Sequence, residues 1–192
     1  MKNITSTDEK INVRRYLSLK RYSHSLQVAR LTERLCRQYN VEPHKGYTAG
    51  LMHDIAREMP DEELIKLTSL DGETIEPWES ERPVLLHGRA GAVLLKKDFG
   101  IRDDLILEAV RVHVTGKPGM SLLSKIVFIA DFLEPTRNII DLKMEREIIN
   151  LPIDLSVVRV LEMIFDYLKS ERKPIAPPAI ALYEELASVK FS

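Results

Sequence analysis

Residues 121–133 read SLLSKIVFIADFL, an almost wholly apolar segment that is followed by Pro135. The segment does not alternate with a period of two, and proline cannot continue a helix, so it predicts a buried helix that ends near Leu133. Asp131 is the only charge in its last eight residues. A carboxylate on a buried helix is costly unless it is protonated, paired or bound to a cation. Asp131 is therefore a candidate metal ligand, with an ion pair to Lys125 or Arg137 as the alternative.

The rest of the chain shows the same helical patterning. From Arg21 to Tyr39, apolar residues share one face with His24, at offsets of four, seven and eleven residues from it. Similar patterns predict helices at Pro43–Ala56, Asp61–Ser69, Leu86–Asp98, Asp103–His113, Ile153–Lys169 and Ala179–Ser188. A long loop from Asp71 to Pro83, anchored by Trp78, interrupts this series. No stretch alternates convincingly, so the sequence predicts an all-α helical bundle.

Composition narrows the class of protein. The 192 residues include 28 Lys and Arg against 29 Asp and Glu, without a basic block, which argues against nucleic-acid binding. Met1 to Lys10 is polar, unlike a signal peptide, and no apolar run is long enough to span a membrane. Cys36 is the one cysteine, so no disulfide forms within the chain, and we expect a cytoplasmic protein with Cys36 in its core.

Four histidines lie beside apolar residues at positions predicted to be helical. They are His24, His53, His87 and His113, whereas His44 follows Pro43 at a helix start and is expected to be exposed. A single histidine of this kind is usually a core residue that has found a hydrogen bond. Asp54 directly follows His53, however, and Asp131 adds a second carboxylate. Four buried imidazoles and two buried carboxylates would be an expensive core without a purpose.

This combination of side chains suits divalent metal ions. Imidazole and carboxylate together bind iron, manganese, zinc and similar ions, and packed helices can direct them to one point. Six ligands that share one aspartate are enough for two ions, and ions roughly 3.5–4 Å apart can clamp a phosphoryl group. The sequence therefore predicts a metal-dependent phosphohydrolase. Its predicted metal ligands are His24, His53, Asp54, His87, His113 and Asp131.

The order His, His-Asp, His, His, Asp resembles the HD-domain metal phosphohydrolases, and longer strings resemble the YqeK family among them. These strings are Arg21-Tyr22-Ser23-His24, Leu51 to Arg57, His87 with Gly91-Ala92, His113 with Thr115 to Met120, and Ala130-Asp131 to Arg137. The resemblance covers roughly His24 to Arg137. It implies a single HD-type helical domain over residues 1–192, with a core at 20–138 and C-terminal helices at 139–192.

The resemblance also implies an activity, the symmetrical hydrolysis of diadenosine tetraphosphate (Ap4A) to two ADP by a hydroxide that bridges two ions. The metal implied is iron, with manganese or another divalent ion as the alternative. His24, His53, Asp54 and Asp131 would hold the first ion, and Asp54 would bridge to a second ion completed by His87 and His113. Asp54 and Arg57 are the implied catalytic residues. The candidate substrate contacts are Arg57, Arg89, Thr115, Gly116, Lys117 and Arg137.

Four positions depart from the family's pattern. Val114 stands where members commonly carry threonine, Gly88-Arg89 replaces an apolar pair, Arg57 replaces lysine, and no asparagine matches near Tyr183. None of these is a predicted metal ligand, so the departures concern the choice of substrate.

Three other interpretations remain open from the sequence. The chain could be another HD-type phosphohydrolase, acting on a nucleoside monophosphate, a deoxynucleotide or a guanosine polyphosphate. It could be a nucleotide-binding regulator without catalysis, although six intact ligands favour an enzyme. It could be a helical scaffold, or a homodimer, that uses the apolar face of Ile153–Leu168. That stripe is more typical of a core; its residues are Val157, Val160, Leu161, Ile164 and Leu168.

Overall fold

The computed structural model describes residues 13–134 and 141–188. The predictions made above for Met1 to Lys10, Pro135 and Arg137 concern residues outside these ranges. Within the described ranges the chain forms helices and turns without a strand, which confirms the all-α prediction. None of the helices described there is both long and apolar enough to cross a lipid bilayer.

Ten α-helices are described, and a 3₁₀ turn at Pro83–Leu86 precedes the fifth. They are α1 (Leu19–Gln38), α2 (Pro43–Met52), α3 (Asp61–Thr68), α4 (Pro77–Ser80), α5 (His87–Asp98), α6 (Asp104–Val112), α7 (Leu122–Leu133), α8 (Leu142–Ile149), α9 (Ile153–Ser170) and α10 (Pro177–Ala187). Side-chain caps begin three of the predicted helices: Ser18, Asp103 and Ser121 each accept a hydrogen bond from the first turn that follows.

Three elements differ from the sequence prediction. The short helix α4 lies within the segment that was predicted to be a loop. Helix α2 ends at Met52 and not near Ala56, because the chain continues in tighter turns in which Ile55 N donates to Met52 O and Arg57 N donates to Asp54 O. Helix α8 was not predicted. Asp141 caps it by accepting from Met144 N at 2.8 Å.

Two hydrophobic clusters hold the helices together. The first joins α1, α6 and α7 to the C-terminal helices, and it contains Cys36 as predicted. On α9, Val157, Val160 and Leu161 are fully buried in this cluster, so that part of the apolar stripe is core. The second cluster lies among α2, α3 and α5.

Two glycines allow the helices that carry the histidines to approach closely. A Cβ added at Gly50 of α2 would lie 2.8 Å from the Cα of Ala29 on α1. A Cβ added at Gly88 of α5 would lie 2.6 Å from the carbonyl oxygen of Arg111 on α6. These contacts bring His53 near α1, which carries His24, and His87 near the end of α6, where His113 lies.

Candidate metal centre

The structure brings the six predicted metal ligands together from α1, α7, the turn after α2 and the adjoining ends of α5 and α6. The four imidazoles are at most 6% exposed and Asp54 is 3% exposed. The Asp131 side chain is 16% exposed. These residues are separated by up to 107 positions in the sequence, so the fold alone makes them neighbours.

The carboxylate of Asp54 lies between two pairs of histidines. Its Oδ2 is 3.4 Å from His53 Nε2 and 3.7 Å from His24 Nε2. Its Oδ1 is 3.1 Å from His87 Nε2 and 3.6 Å from His113 Nε2. One carboxylate therefore offers an oxygen to each of two adjacent sets of nitrogen atoms.

Asp131 completes the set around His24 and His53. Its Oδ1 lies 3.0 Å from His24 Nε2 and 3.4 Å from His53 Nε2. The ligand atoms of His24, His53 and Asp131 lie within 4.8 Å of one another, and so do those of His53, Asp54 and His113. Each of these groups has the donor types and the spacing that a divalent ion requires.

Every histidine in the centre is oriented by a hydrogen bond from its other ring nitrogen. Nδ1 of His53, His87 and His113 lies 2.6–2.8 Å from a backbone carbonyl oxygen three residues earlier. Nδ1 of His24 lies 2.9 Å from the buried carboxylate of Glu134. Carbonyls and carboxylates accept hydrogen bonds, so each Nδ1 donates to its partner and each ring turns its Nε2 towards the centre.

These orientations create a repulsion that a cation relieves. His87 Nε2 lies 3.0 Å from His113 Nε2, and His24 Nε2 lies 3.3 Å from His53 Nε2. Two lone pairs that face each other at these distances are unfavourable unless a proton or a metal ion lies near them. The donor set therefore fits divalent metal ions, and the residues present could hold them.

The carboxylates and imidazoles of the centre shift one another's pKa values, in directions that differ from residue to residue. Burial lowers the pKa of His53, but the carboxylates of Asp54 and Asp131 outweigh burial and raise it to about 10. Burial on its own would raise the pKa of Asp54, but His53 and hydrogen bonds from His113, His53 and His87 hold it well below its usual range. For His113, burial dominates and lowers the pKa.

A polar cavity of about 720 Å³ opens over the centre. Arg57 lines it, as predicted for a substrate contact, and Lys20, Arg21 and Glu58 line it as well. The guanidinium of Arg57 has no hydrogen-bond or ion-pair partner among the residues that the structure describes. Arg21 was not predicted: its Nη1 donates to Asp54 Oδ2 at 2.8 Å. The cavity therefore collects basic side chains beside the centre.

Arg89 has a different place from the one predicted. Its guanidinium donates to both oxygens of Asp71, to Glu79 at 2.7 Å and to the carbonyl oxygens of Glu73 and Thr74. It does not line the cavity over the metal centre, and its contacts anchor the 71–80 segment; its role as a substrate contact stays a prediction. Trp78 is only half-buried, and Glu79 is the buried residue of this loop.

The turn after α6 holds three of the predicted substrate contacts, Thr115, Gly116 and Lys117, which stay predictions. The N–H of Gly116 donates to Val112 O at 2.7 Å, and the hydroxyl of Thr115 donates to Gly116 O. Lys117 pairs with Glu108 at 3.0 Å and lines a separate surface cavity. None of the three lines the metal cavity, whereas Val114 does. Arg137, the remaining predicted contact, lies outside the described residues.

Arg21 and Glu134 are the site residues that sequence reasoning missed. Arg21 lies one turn before His24, and that spacing on a helix places the two side chains on one face. Glu134 lies three residues after Asp131, just beyond the end of α7. In both cases the spacing to a predicted ligand was the available signal.

Comparisons with known proteins agree with this geometry. Residues 21–136 match the HD domain family. Over 176 residues, the chain is 31% identical to the symmetrical bis(5'-nucleosyl)-tetraphosphatase of Halalkalibacterium halodurans, covering 91% of this chain and 92% of the relative. It is 27% identical to the protein of the same name from Bacillus subtilis, with 92% and 94% covered. A crystal structure from Clostridium acetobutylicum, described as a predicted HD superfamily hydrolase involved in NAD metabolism, matches with a TM-score of 0.91.

The Clostridium protein is 31% identical, and the match covers 97% of this chain and 98% of that one. The chain therefore belongs to the HD-domain family and is a phosphohydrolase of that family. Within the family it is similar, over most of its length, to proteins named symmetrical bis(5'-nucleosyl)-tetraphosphatase. The resemblance noted from the sequence is thereby confirmed.

Proposed function

We propose that this phosphohydrolase cleaves diadenosine tetraphosphate symmetrically and releases two ADP. The observation that carries the proposal is the position of Asp54, whose two oxygens face two separate sets of histidines. Relatives named for this activity match more than nine-tenths of the chain. The cavity over the centre is large enough for a small ligand and polar enough for a polyphosphate.

We assign two cation positions to the centre. His24, His53, Asp131 and Oδ2 of Asp54 would hold the first ion, and His87, His113 and Oδ1 of Asp54 would hold the second. Iron is the metal we propose, and manganese is its alternative. Bound ions of this kind supply a water molecule of lowered pKa and neutralise charge on the phosphoryl oxygens.

The basic side chains of the cavity would bind and position the phosphates of the substrate. The guanidinium of Arg57 lines the cavity and has no partner among the described residues, so it would bind the phosphate chain and stabilise the charge that builds on the leaving ADP. Arg21 is held against Asp54 and would orient that carboxylate while its remaining donors face the cavity. A nucleoside diphosphate is a good leaving group, so the proposal requires no general acid.

A product assay tests the proposal. Protein purified without chelator is analysed for metal content, loaded with iron or manganese, and incubated with Ap4A. We expect ADP as the sole nucleotide product. AMP with ATP would exclude symmetrical attack, and an absence of turnover with every metal would favour a nucleotide-binding regulator. Asp54→Asn should abolish turnover while the helical circular dichroism signal persists.

A second substrate belongs in the same panel because of the Clostridium structure, whose description places that protein in NAD metabolism. NAD is also a dinucleotide joined through a phosphoanhydride. Nucleoside monophosphates, deoxynucleotides and guanosine polyphosphates complete the panel. If the protein cleaves any of these compounds faster than Ap4A, that compound replaces Ap4A as the proposed substrate. The two proposed cation positions would not be affected by that result.

Three further properties stay predictions. We propose that residues 1–192 form one domain, since the C-terminal helices share a hydrophobic cluster with α1, α6 and α7. A homodimer is tested by light scattering, and its surface would have to lie outside the buried part of the α9 stripe. The cytoplasmic location is tested by cell fractionation.

A further inference from the structure

Among the residues that the structure describes, those lining the metal cavity offer little apolar surface to a nucleobase. Apart from Val114, its lining consists of charged residues, histidines and one serine. A purine ring binds mainly through its flat apolar faces, which need aromatic or aliphatic partners. The base of a nucleotide that reaches this centre must therefore find its contacts beyond the cavity.

Such contacts exist directly beside it. We propose that an apolar recess between the 3₁₀ turn, the turn after α6 and helices α9 and α10 binds one nucleobase of the substrate, an inference that rests on the proposed function. Val114 lines both the metal cavity and this recess, so the two lie side by side. The next residue, Thr115, faces the recess and no longer lines the metal cavity.

The size and lining of the recess suit a single base. Its volume is about 170 Å³, below the ~300 Å³ that marks the lower end for drug-sized ligands, so a ring fits and a whole nucleotide does not. Phe128 and Leu161 form its buried floor. Ile164, Phe165 and Leu168 are half-buried, so each still presents apolar surface to a ligand.

Phe165 is the residue best placed to stack on a base. Its ring packs against Tyr183 of α10 at a centroid distance of 5.6 Å, and this contact holds its orientation. Arg82 also lines the recess. Its Nη1 donates to Pro174 O at 3.0 Å, and its other nitrogens, which have no partner within residues 13–134 and 141–188, would donate to ring acceptors of the base.

The segments of the chain that line the recess support a role for it in the choice of substrate. The match to the HD domain ends at residue 136, and most of the recess comes from α9 and the segment leading into α10. The metal centre therefore lies within the part of the chain that the family shares, while the recess depends on helices outside it. Val114, which stands where the resembled family commonly has threonine, adds apolar surface at the junction.

A pair of variants on α9 tests the inference. Phe165→Ala removes the stacking ring. Met163→Ala is the matched control, because Met163 is half-buried on the same helix and does not line the recess. We expect Phe165→Ala to raise the KM for Ap4A about tenfold with little change in kcat, since a base stacked on an aromatic ring contributes on this order. Met163→Ala should leave KM within about twofold of the parent.

Two further measurements separate the recess from the metal centre. Calorimetry of the metal-loaded protein compares ADP with inorganic pyrophosphate, which has no base. Phe165→Ala should lower the affinity for ADP about tenfold and leave the affinity for pyrophosphate unchanged. Ala176→Leu fills the recess with a larger side chain and should lower the affinity for ADP to a similar extent. It replaces Phe165→Ala as the test if that variant does not fold.

The possible outcomes are distinct. If the parent protein does not cleave Ap4A, the proposed function fails, and the calorimetry still decides whether the recess binds a base. If the parent cleaves Ap4A but Phe165→Ala and Ala176→Leu keep the parent's KM and ADP affinity, the recess is not a base site. Equal weakening of ADP and pyrophosphate would likewise overturn it, because the loss would then come from the phosphate contacts.

Discussion

His24 Nδ1 and the Glu134 carboxylate form a buried hydrogen bond of 2.9 Å that joins α1 to the end of α7. Both residues are almost completely shielded from solvent. Because the carboxylate holds the proton on Nδ1, it keeps the Nε2 lone pair of His24 directed at Asp131 and His53. Glu134 thus orients a proposed metal ligand without belonging to the set of six.

The first prediction concerns this contact. Glu134→Gln should lower metal affinity about 10–100-fold, the usual effect of removing a partner that orients a ligating histidine. Competition with a fluorescent chelator measures the affinity. Glu162→Gln is the control, since Glu162 lies in a solvent-exposed pair with Arg159. Unchanged metal affinity in folded Glu134→Gln would show that the hydrogen bond does not orient the ligand.

Arg21 is the subject of the second prediction. Its guanidinium donates to Asp54 Oδ2 at 2.8 Å and lines the polar cavity. A hydrogen bond to a charged group contributes about 1.5–3 kcal/mol, so Arg21→Ala should lower kcat/KM about 10–100-fold. Arg21→Lys should recover part of the loss, because lysine keeps the charge and loses the forked geometry.

The matched control for Arg21 is Arg30→Ala, an exposed arginine on the same helix. It should retain the parent's kcat/KM. Metal content is measured on both variants to separate a loss of metal from a loss of substrate positioning. Parental kcat/KM in Arg21→Ala would remove Arg21 from the site.

The helices of this chain could be predicted from sequence because the apolar residues repeat with the helical period and the caps are local. The clustering of the six proposed ligands could be predicted as well, since an imidazole or a carboxylate is conspicuous among apolar neighbours. Asp131 within Ile126–Leu133 is the clearest case. These signals depend on a few adjacent residues.

The remaining features depend on partners that are distant in sequence. Arg89 was interpreted as a substrate contact because no pattern near it in the sequence indicates its ion pairs with Asp71 and Glu79. Both of these partners belong to a segment that was predicted to be a loop. Arg21 finds Asp54 33 positions away. Helix α8 was missed although Asp141 is a suitable cap, because its few apolar residues lie among charges.

The third prediction tests the new position of Arg89. Breaking a buried ion pair by removing one partner costs about 3–5 kcal/mol, so Arg89→Ala should lower the free energy of unfolding by about 3 kcal/mol in urea titrations. Arg159→Ala breaks an exposed pair and should cost at most about 1 kcal/mol. If Arg89→Ala kept its stability and raised KM instead, Arg89 would be a substrate contact after all.

The fourth prediction follows from the burial of Cys36. Burial, assisted by the charge of Glu33, raises the pKa of its thiol from 9.0 to about 11. The native thiol therefore stays protonated and should not react with a disulfide reagent at pH 8, whereas urea-unfolded protein should react at once. Rapid labelling of folded protein would contradict this.

The raised pKa of the Cys36 thiol also makes the stability of the folded protein depend on pH. The folded state binds the thiol proton more tightly than the unfolded state, so the stabilising contribution is complete below about pH 9. It is lost as the pH rises from about 9 towards about 11. Urea titrations of the parent and Cys36→Ala across this range isolate the effect, since the variant lacks this titration.

The last prediction concerns the close approach of α5 and α6 at Gly88. A Cβ there would lie 2.6 Å from Arg111 O and 3.0 Å from Val110 O, both backbone atoms that cannot move independently of their helix. Gly88→Ala should therefore cost about 1–3 kcal/mol of stability, as overpacking does. It should also separate His87 from His113, whose Nε2 atoms are 3.0 Å apart, and weaken metal binding at the second position.

Gly91→Ala on the same helix is the control. Its Cβ would meet side-chain atoms of Ile55 and Val110 at 3.3 Å, and side chains can move aside more easily than backbone. Metal stoichiometry measured on both variants separates the two effects: one ion lost per chain in Gly88→Ala and none in Gly91→Ala supports the second position, whereas equal stoichiometry would show that the spacing between these helices does not control it.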